Sequence, residues 1–282
     1  YLIDLKTGKI KNRITKGEWA VQQVRYVDQK KRKIYFSAGG KEPGDPYYWH
    51  YYSINMDGSG LKLLTPEYAH HTVTFSPKYK YFVDSYSTPV TPPVIVLRDM
   101  DGNQLVKLEQ ADISRLLASG WQPPTQTKTK ARDGVTNIYG LLYKPTKFNP
   151  NKKYPVLMHV YGGPGVQTVK DAWGRSNYFW YQMLVQKGCI VVSVENRGTP
   201  GRGARWGKST YRELGKLETA DQIAAAKYLQ GLGFVDADRP VKELVQAAKK
   251  WESFGATHVS LQTMNCGFTT VDQHIQIITK FK

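Results

Sequence analysis

Residues 154–165 read Tyr-Pro-Val-Leu-Met-His-Val-Tyr-Gly-Gly-Pro-Gly. The first eight form a mostly apolar run that predicts a buried strand, and the glycines and proline end it. Downstream, residues 178–187 predict a helix, residues 189–194 a second buried strand, and residues 219–229 an amphipathic helix. Buried strands that alternate with helices indicate an α/β sheet in which most strands are parallel.

Residues 1 to about 110 carry a different, all-β pattern. Short runs rich in Tyr, Val, Ile and Phe predict strands at residues 21–27, 33–37, 50–55, 71–75, 81–85 and 94–97. Turn signals such as Asp57-Gly58-Ser59-Gly60 and Asp101-Gly102 lie where hairpins would turn. A period of about 40–45 residues with four strands is typical of propeller blades. Two or three blades cannot close a ring, so we expect part of a propeller.

Residues 111–134 link these two patterns. Residues 111–119 predict a short helix, and Pro123-Pro124 followed by alternating Thr and Lys is expected to break regular structure. Residues 136–143 then predict an edge strand of the α/β sheet. At the other end of the chain, residues 241–282 predict a helix, a short strand and a second helix, an α-β-α unit of its own.

Charge and composition exclude several classes of protein. The formal net charge is +17, from 40 Lys and Arg against 23 Asp and Glu, but the basic residues are spread along the chain. Their one dense cluster, residues 30–33, lies where a hairpin turn is expected, so a solvated loop is favoured over a nucleic-acid site. No apolar run approaches the roughly 20 residues of a membrane span. Cys189 and Cys266 alone make neither a disulfide framework nor a metal cluster, and we expect no metal or cofactor.

Several motifs follow one another in a specific order. They are Lys-Lys-Tyr-Pro-Val (152–156), Val-Tyr-Gly-Gly-Pro (160–164), Val-Glu-Asn-Arg-Gly-Thr (194–199), Leu-Gly-Lys (214–216) with Asp-Gln-Ile-Ala-Ala-Ala (221–226), and Gly-Phe-Val-Asp (233–236) with Asp-Arg (238–239). Their order and spacing resemble the dipeptidyl peptidase IV-like branch of the prolyl oligopeptidase family of serine peptidases. Gly-Glu-Trp-Ala-Val (17–21) and Phe-Val-Asp-Ser-Tyr-Ser (82–87) are similar to the last blades of that family's propeller.

The resemblance implies an α/β-hydrolase domain under a propeller that admits short peptides. The expected fold is therefore mixed: a partial β-propeller (1–112), the N-terminal half of an α/β-hydrolase domain (113–240) and an unrelated α-β-α tail (241–282). Such enzymes remove dipeptides from polypeptide N-termini, which implies peptide substrates, a possible homodimer, and a periplasmic or extracellular location that the sequence itself leaves open. Because residues 1–9 resemble the middle of a folded repeat, we expect an internal fragment of such an enzyme.

The family's chemistry needs a nucleophilic Ser, a His, an Asp and an oxyanion hole. In the family the Tyr of Val-Tyr-Gly-Gly-Pro supplies an oxyanion donor, which implies this role for Tyr161; the alternative is that Tyr161 only packs at the strand end. The sequence contains no Gly-x-Ser-x-Gly: Ser176 and Ser209 have Gly two positions before but Tyr two positions after. We therefore expect the nucleophile, base and acid to be absent and the chain to be inactive.

The tail suggests another ancestry. Lys-Lys-Trp-Glu (249–252), residues 255–264 and Asp-Gln-His-Ile (272–275) are similar to the C-terminal end of luciferase-like flavin-dependent oxidoreductases, without a complete flavin site. Since His258 and His274 lie in this tail, neither is assigned to a triad. Two other functions stay open: a non-catalytic propeller fragment that binds peptides or proteins, and, from the tail alone, a flavin-dependent oxidoreductase fragment.

Three local patterns imitate binding sites, but a structural role is favoured for each. Residues 202–209 imitate a phosphate loop, but Arg202 stands where its first Gly belongs, and a surface loop is favoured. His70-His71 could bind a metal, yet no carboxylate or Cys lies at suitable spacing, so packing is favoured. The aromatic run at residues 47–52 could stack on a ligand, but strand alternation is expected to bury half of it against a neighbouring blade.

Overall fold

The computed structural model describes residues 1–169, 172–174 and 178–236. The N-terminal part begins with a short antiparallel pair and continues as two four-stranded antiparallel sheets, each in sequential strand order. The strands are β1 (Leu2–Ile3), β2 (Ile10–Asn12), β3 (Ala20–Asp28), β4 (Lys33–Gly39), β5 (Trp49–Asn55), β6 (Lys62–Leu63), β7 (His70–Phe75), β8 (Tyr81–Ser87), β9 (Val94–Asp99) and β10 (Gln104–Gln110). All six predicted strands are confirmed.

Two sheets of four strands, β3–β6 and β7–β10, are two propeller blades side by side. An apolar cluster joins them, with Tyr35 and Tyr51 from the first and Val73 and Phe82 from the second. Residues 30–32 of the basic cluster lie in the β3–β4 turn, as predicted, and Lys33 begins β4. Within the described residues the blades form part of a propeller and close no ring.

The C-terminal part of the described chain is a mixed sheet with helices on both faces. Its elements are α1 (Ser114–Ala118), β11 (Thr125–Lys130), β12 (Asn137–Tyr143), β13 (Val156–His159), α2 (Tyr178–Gln186), β14 (Ile190–Val194), α3 (Gly203–Gly207), a 3₁₀ turn (Lys208–Thr210) and α4 (Leu217–Gln230). The strand order is β11-β12-β14-β13. Alternation along β14 sends Val191 toward α2 on one face and Val192 toward α4 on the other.

Three predictions about this sheet are wrong. The sheet is mixed rather than mostly parallel, because only β13 and β14 are parallel among its three strand pairs in the described chain. Strand β12 is not an edge strand, since it pairs with β11 on one side and β14 on the other. Residues 125–130, expected to be irregular, form the edge strand instead, because a stretch that alternates Thr with polar residues can pair along its whole length with β12.

Strand β13 is shorter than the predicted run 154–161, and its residues are half-buried rather than buried. It stands last in the strand order, and beyond it the described chain offers only a parallel bridge between Tyr154 and Val235. Residues 202–209, expected to be a surface loop, instead contribute most of α3 and of the 3₁₀ turn.

None of the helices in the described ranges is both long and apolar enough to cross a membrane. The predicted α-β-α tail at residues 241–282, with His258, His274 and Cys266, lies outside the described residues.

Candidate functional site

Tyr161 lies just past the carboxyl end of β13, and 57% of its side chain is exposed. Gly162 follows it with φ +74°, a backbone conformation that glycine adopts without strain. A Cβ on Gly163 would stand 3.1 Å from the Tyr161 ring, a tight contact that the absence of a side chain avoids. The Tyr161 ring therefore lies at the surface, next to the glycine turn.

The loop that starts at Tyr161 is held at its beginning by Asn196, which lies two residues after the end of β14. The Asn196 Nδ2 atom donates to the carbonyl of Gly162 at 2.9 Å. Its own Oδ1 atom accepts a bond of 2.9 Å from Gln222 on α4, which also donates to the carbonyl of Val194 at 3.0 Å. Gln222 on α4 thus holds the Asn196 amide in place, and this amide holds the turn at Gly162.

The far end of the same loop is held by a buried carboxylate. The Val169 N–H donates to Glu195 Oε2 at 2.8 Å, and the Thr168 hydroxyl lies 3.4 Å from the same oxygen. Glu195 is 1% exposed. Burial raises its pKa to about 7, and the hydrogen bonds from Val169 and Thr168 oppose that rise. Loop 161–169 is therefore anchored twice to the end of β14.

An ion pair follows directly on this strand end. The Arg197 guanidinium bonds to Asp221 on α4 and, through Nη1, to Asp133 at 2.7 Å. The Asp221 side chain has no exposed surface. Arg197 thus ties the end of β14 to α4 and to the β11–β12 turn, and it keeps the neighbouring Asn196 in place.

The blades dock onto this part of the sheet. The Tyr47 ring packs edge-on against Tyr139, with centroids 6.1 Å apart and planes at 88°. Gln22 donates to the carbonyl of Gly201 at 2.9 Å, and Gln126 donates to the Tyr48 hydroxyl at 3.0 Å. The propeller surface therefore lies against the same chain segments that surround the loop anchors.

This docking corrects the interpretation of the aromatic run at residues 47–52. Alternation was expected to bury half of it, yet five of its six side chains are buried and only Trp49 is partly exposed. The run is covered both within the blades and by the hydrolase-like sheet, so little of its aromatic surface is free to stack on a ligand.

The expectation that no carboxylate joins His70-His71 is wrong. Both ring nitrogens of His71 are engaged, Nδ1 with Asp84 at 2.9 Å and Nε2 with the carbonyl of Glu67 at 2.9 Å. The Glu67, His71 and Asp84 ligand atoms lie within 4.8 Å of one another, a spacing that could hold a metal ion. Arg98 already bonds Asp84 at 3.0 Å and Glu67 at 2.6 Å, so a fixed guanidinium supplies the positive charge there.

The remaining candidates do not gather around Tyr161. Ser209 lies in the 3₁₀ turn, and its hydroxyl donates to the carbonyl of Trp206 in α3. Ser176 lies outside the described residues. His159, two residues before Tyr161, shares a hydrogen bond with the Tyr181 hydroxyl, and burial lowers its pKa. The described site therefore offers an exposed phenol donor on an anchored turn, which can stabilise negative charge on a bound group.

In the sequence, Glu195 and Asn196 stand only as part of the motif at residues 194–199, and no role is predicted for either. A signal was present, since both follow a buried strand directly. Parallel strands β13 and β14 end at the same edge of the sheet, so residues placed after each of them meet there.

Comparison with known proteins gives a consistent picture. The model of the dipeptidyl peptidase IV N-terminal region matches residues 1–93, and that of the prolyl oligopeptidase family matches residues 176–242. Dipeptidyl peptidase 4 of Trichophyton rubrum is 33% identical over 248 residues, which cover 84% of this chain and 31% of the relative. Human dipeptidyl peptidase 8 is 30% identical over 239 residues, which cover 80% of this chain and 26% of the relative.

Solved structures agree. Porphyromonas gingivalis dipeptidyl peptidase 4 superposes with a TM-score of 0.71 at 32% identity, covering 84% of this chain and 33% of that one. A putative dipeptidyl aminopeptidase IV from Bacteroides ovatus gives a TM-score of 0.69 at 31% identity, covering 80% and 32%. The chain spans about a third or less of the length of these relatives.

Proposed function

Because the chain belongs to the prolyl oligopeptidase family, in its dipeptidyl peptidase IV-like branch, we propose that it is part of a serine-type dipeptidyl peptidase in which Tyr161 donates to the oxyanion. One observation carries this proposal: an exposed phenol stands at the carboxyl end of β13 on a turn anchored by Asn196. A donor whose neighbouring backbone is anchored needs less reorganisation to meet negative charge, and that favours the role of an oxyanion donor. The substrates proposed are peptides with a free N-terminus.

These 282 residues contain no Gly-x-Ser-x-Gly, the motif that carries the nucleophile of such an enzyme. We infer that a polypeptide of these 282 residues forms no acyl-enzyme, since the covalent route needs the missing serine. A fluorophosphonate probe is expected to leave it unlabelled, and Gly-Pro chromogenic substrates are expected to stay intact. Labelling of any serine would contradict the inference.

The role of Tyr161 is tested in an active setting. Residues 1–236 would replace the matching span of Porphyromonas gingivalis dipeptidyl peptidase 4, and hydrolysis of Gly-Pro-p-nitroanilide would be followed. Tyr161→Phe in this chimera is expected to lower kcat by about 100-fold with little change in KM, because the donor acts mainly in the transition state. Tyr211→Phe, at a tyrosine 71% exposed, is the matched control and is expected to leave kcat unchanged. A Tyr161→Phe chimera that hydrolyses the substrate as fast as its parent removes the proposed role.

A further inference from the structure

Loop 161–169 has two anchors, and both belong to consecutive residues. Asn196 holds its beginning through the carbonyl of Gly162, and Glu195 holds its end through the N–H of Val169. Both residues are about 1% exposed, so neither side chain is free to turn to water. A loop fixed at both ends has fewer accessible conformations than one fixed at a single end, and the ring at its start shares that restriction.

We propose that Glu195 and Asn196 are positioning residues for Tyr161, which hold loop 161–169 against the end of β14 and thereby fix where the phenol O–H lies. The inference deepens the proposed function and rests on the role given there to Tyr161. Both side chains are buried and bond to the backbone of the loop, so each acts through that backbone.

The surroundings of Glu195 tie this device to the propeller. Burial raises the pKa of the Tyr47 phenol, the Glu195 carboxylate adds to that rise, and the Arg202 guanidinium opposes it. Arg202 itself lies over the Trp206 ring at 3.8 Å and donates to the carbonyl of Asn137 at 2.8 Å. A Cβ on Gly201 would meet Tyr47 at 3.3 Å, so the blade residue fills the space beside the anchor.

The other groups around the carboxylate are neutral or already paired. Thr168 and Thr199 contribute hydroxyls, and the backbone N–H of Glu195 is taken by the carbonyl of Tyr139 on β12. From α4, Gln222 is neutral, and Asp221 is paired with Arg197. Burial raises the pKa of Glu195 to about 7, whereas it lowers the pKa of His159, two residues before Tyr161, away from that value.

The test uses the full chain and a spectroscopic readout of the ring. Tyrosine labelled with ¹³C at the ring ε positions would be incorporated, and Tyr161→Phe would identify the Tyr161 signal. From about pH 5.5 to about pH 8.5, the wild-type Tyr161 signal is expected to show a step near pH 7, as Glu195 ionises. Glu195→Gln is expected to abolish the step, whereas Glu213→Gln, the same change at an exposed carboxylate, is expected to keep it.

Asn196→Asp tests the other anchor without removing Glu195. It deletes the donor to Gly162 and keeps the acceptor for Gln222, so the Tyr161 signal is expected to move toward that of an exposed, mobile tyrosine and to sharpen. A wild-type titration with no step, or a Tyr161 signal unmoved by both substitutions, overturns the proposal. If Glu195→Gln does not fold, the wild-type titration and Asn196→Asp decide it.

The two proposals fail separately. Ring signals that respond as expected, together with a chimera indifferent to Tyr161→Phe, would leave the positioning role and remove the oxyanion role. The reverse pattern would keep the oxyanion role and remove this inference.

Discussion

The Arg197 guanidinium lies against the Asp221 carboxylate through two hydrogen bonds, with Nε 2.8 Å from Oδ2 and Nη2 2.6 Å from Oδ1. Asp221 also accepts the backbone N–H groups of Arg132 at 3.2 Å and Arg197 at 3.1 Å. One buried carboxylate on α4 thus joins the end of β14 to the segment between β11 and β12. Because the carboxylate has no exposed surface, its partners are arranged around a charge that water cannot replace.

Asp221→Asn is therefore expected to lower the free energy of unfolding by about 3–5 kcal/mol, since it leaves a largely buried guanidinium without its main partner. Glu213→Gln removes a carboxylate whose pair with Lys216 is exposed, and a loss of about 0–1 kcal/mol is expected. Urea unfolding of both variants, monitored by tryptophan fluorescence, provides the comparison. Equal losses in the two variants would show that burial of the pair does not set its contribution.

The blades were predictable from sequence because their signals are local. Each strand from β3 to β9, apart from the two-residue β6, is a run of β-branched and aromatic residues bounded by a turn, such as Asp57-Gly58 between β5 and β6. Nothing in such a signal depends on a distant partner. The family resemblance rested in the same way on short contiguous motifs, and the comparisons bear it out.

What the sequence concealed depends on pairing between distant segments. Whether β12 is an edge strand is decided by β11 and β14, and neither neighbour is visible within residues 137–143. His71 meets Asp84 because the β7–β8 register places Val73 opposite Asp84, which brings the carboxylate diagonally next to the imidazole. The burial of Glu195, and with it the role proposed for it, arises from segments far from it in sequence, which include Thr168 and Val169 of the loop and Tyr47 of a blade.

The same burial of Glu195 makes stability depend on pH. Its pKa rises from an ordinary 4.5 to about 7 on folding, so between these values the folded chain holds a proton that the unfolded chain has lost. This contribution is complete below about pH 4.5 and is lost as the pH rises to about 7. The free energy of unfolding of the wild type relative to Glu195→Gln is expected to fall by about 3 kcal/mol across that window.

Taking the difference between the two proteins removes the contributions of His50, His159 and the acidic groups that both share. Urea unfolding of both proteins at closely spaced pH values measures this difference in the free energy of unfolding. A difference that stays flat, or that rises with pH, would mean that burial does not raise the pKa of Glu195. Glu213→Gln, which removes an exposed carboxylate, is the matched control for this comparison.

Gly162 is expected to tolerate alanine less well than a glycine with the same backbone but open surroundings. Gly134 has φ +70° and nothing within 4 Å of an added Cβ, so Gly134→Ala should lose about 1–2 kcal/mol from the left-handed conformation alone. At Gly162, φ is +74° and an added Cβ would lie 3.3 Å from Asn196 Oδ1. Gly162→Ala therefore also makes a tight contact with the side chain that anchors the loop. We expect a further loss of about 1 kcal/mol, the contribution of the displaced hydrogen bond. Equal losses in the two variants, measured by urea unfolding, would show that the Asn196 amide yields freely and is no rigid anchor for the turn.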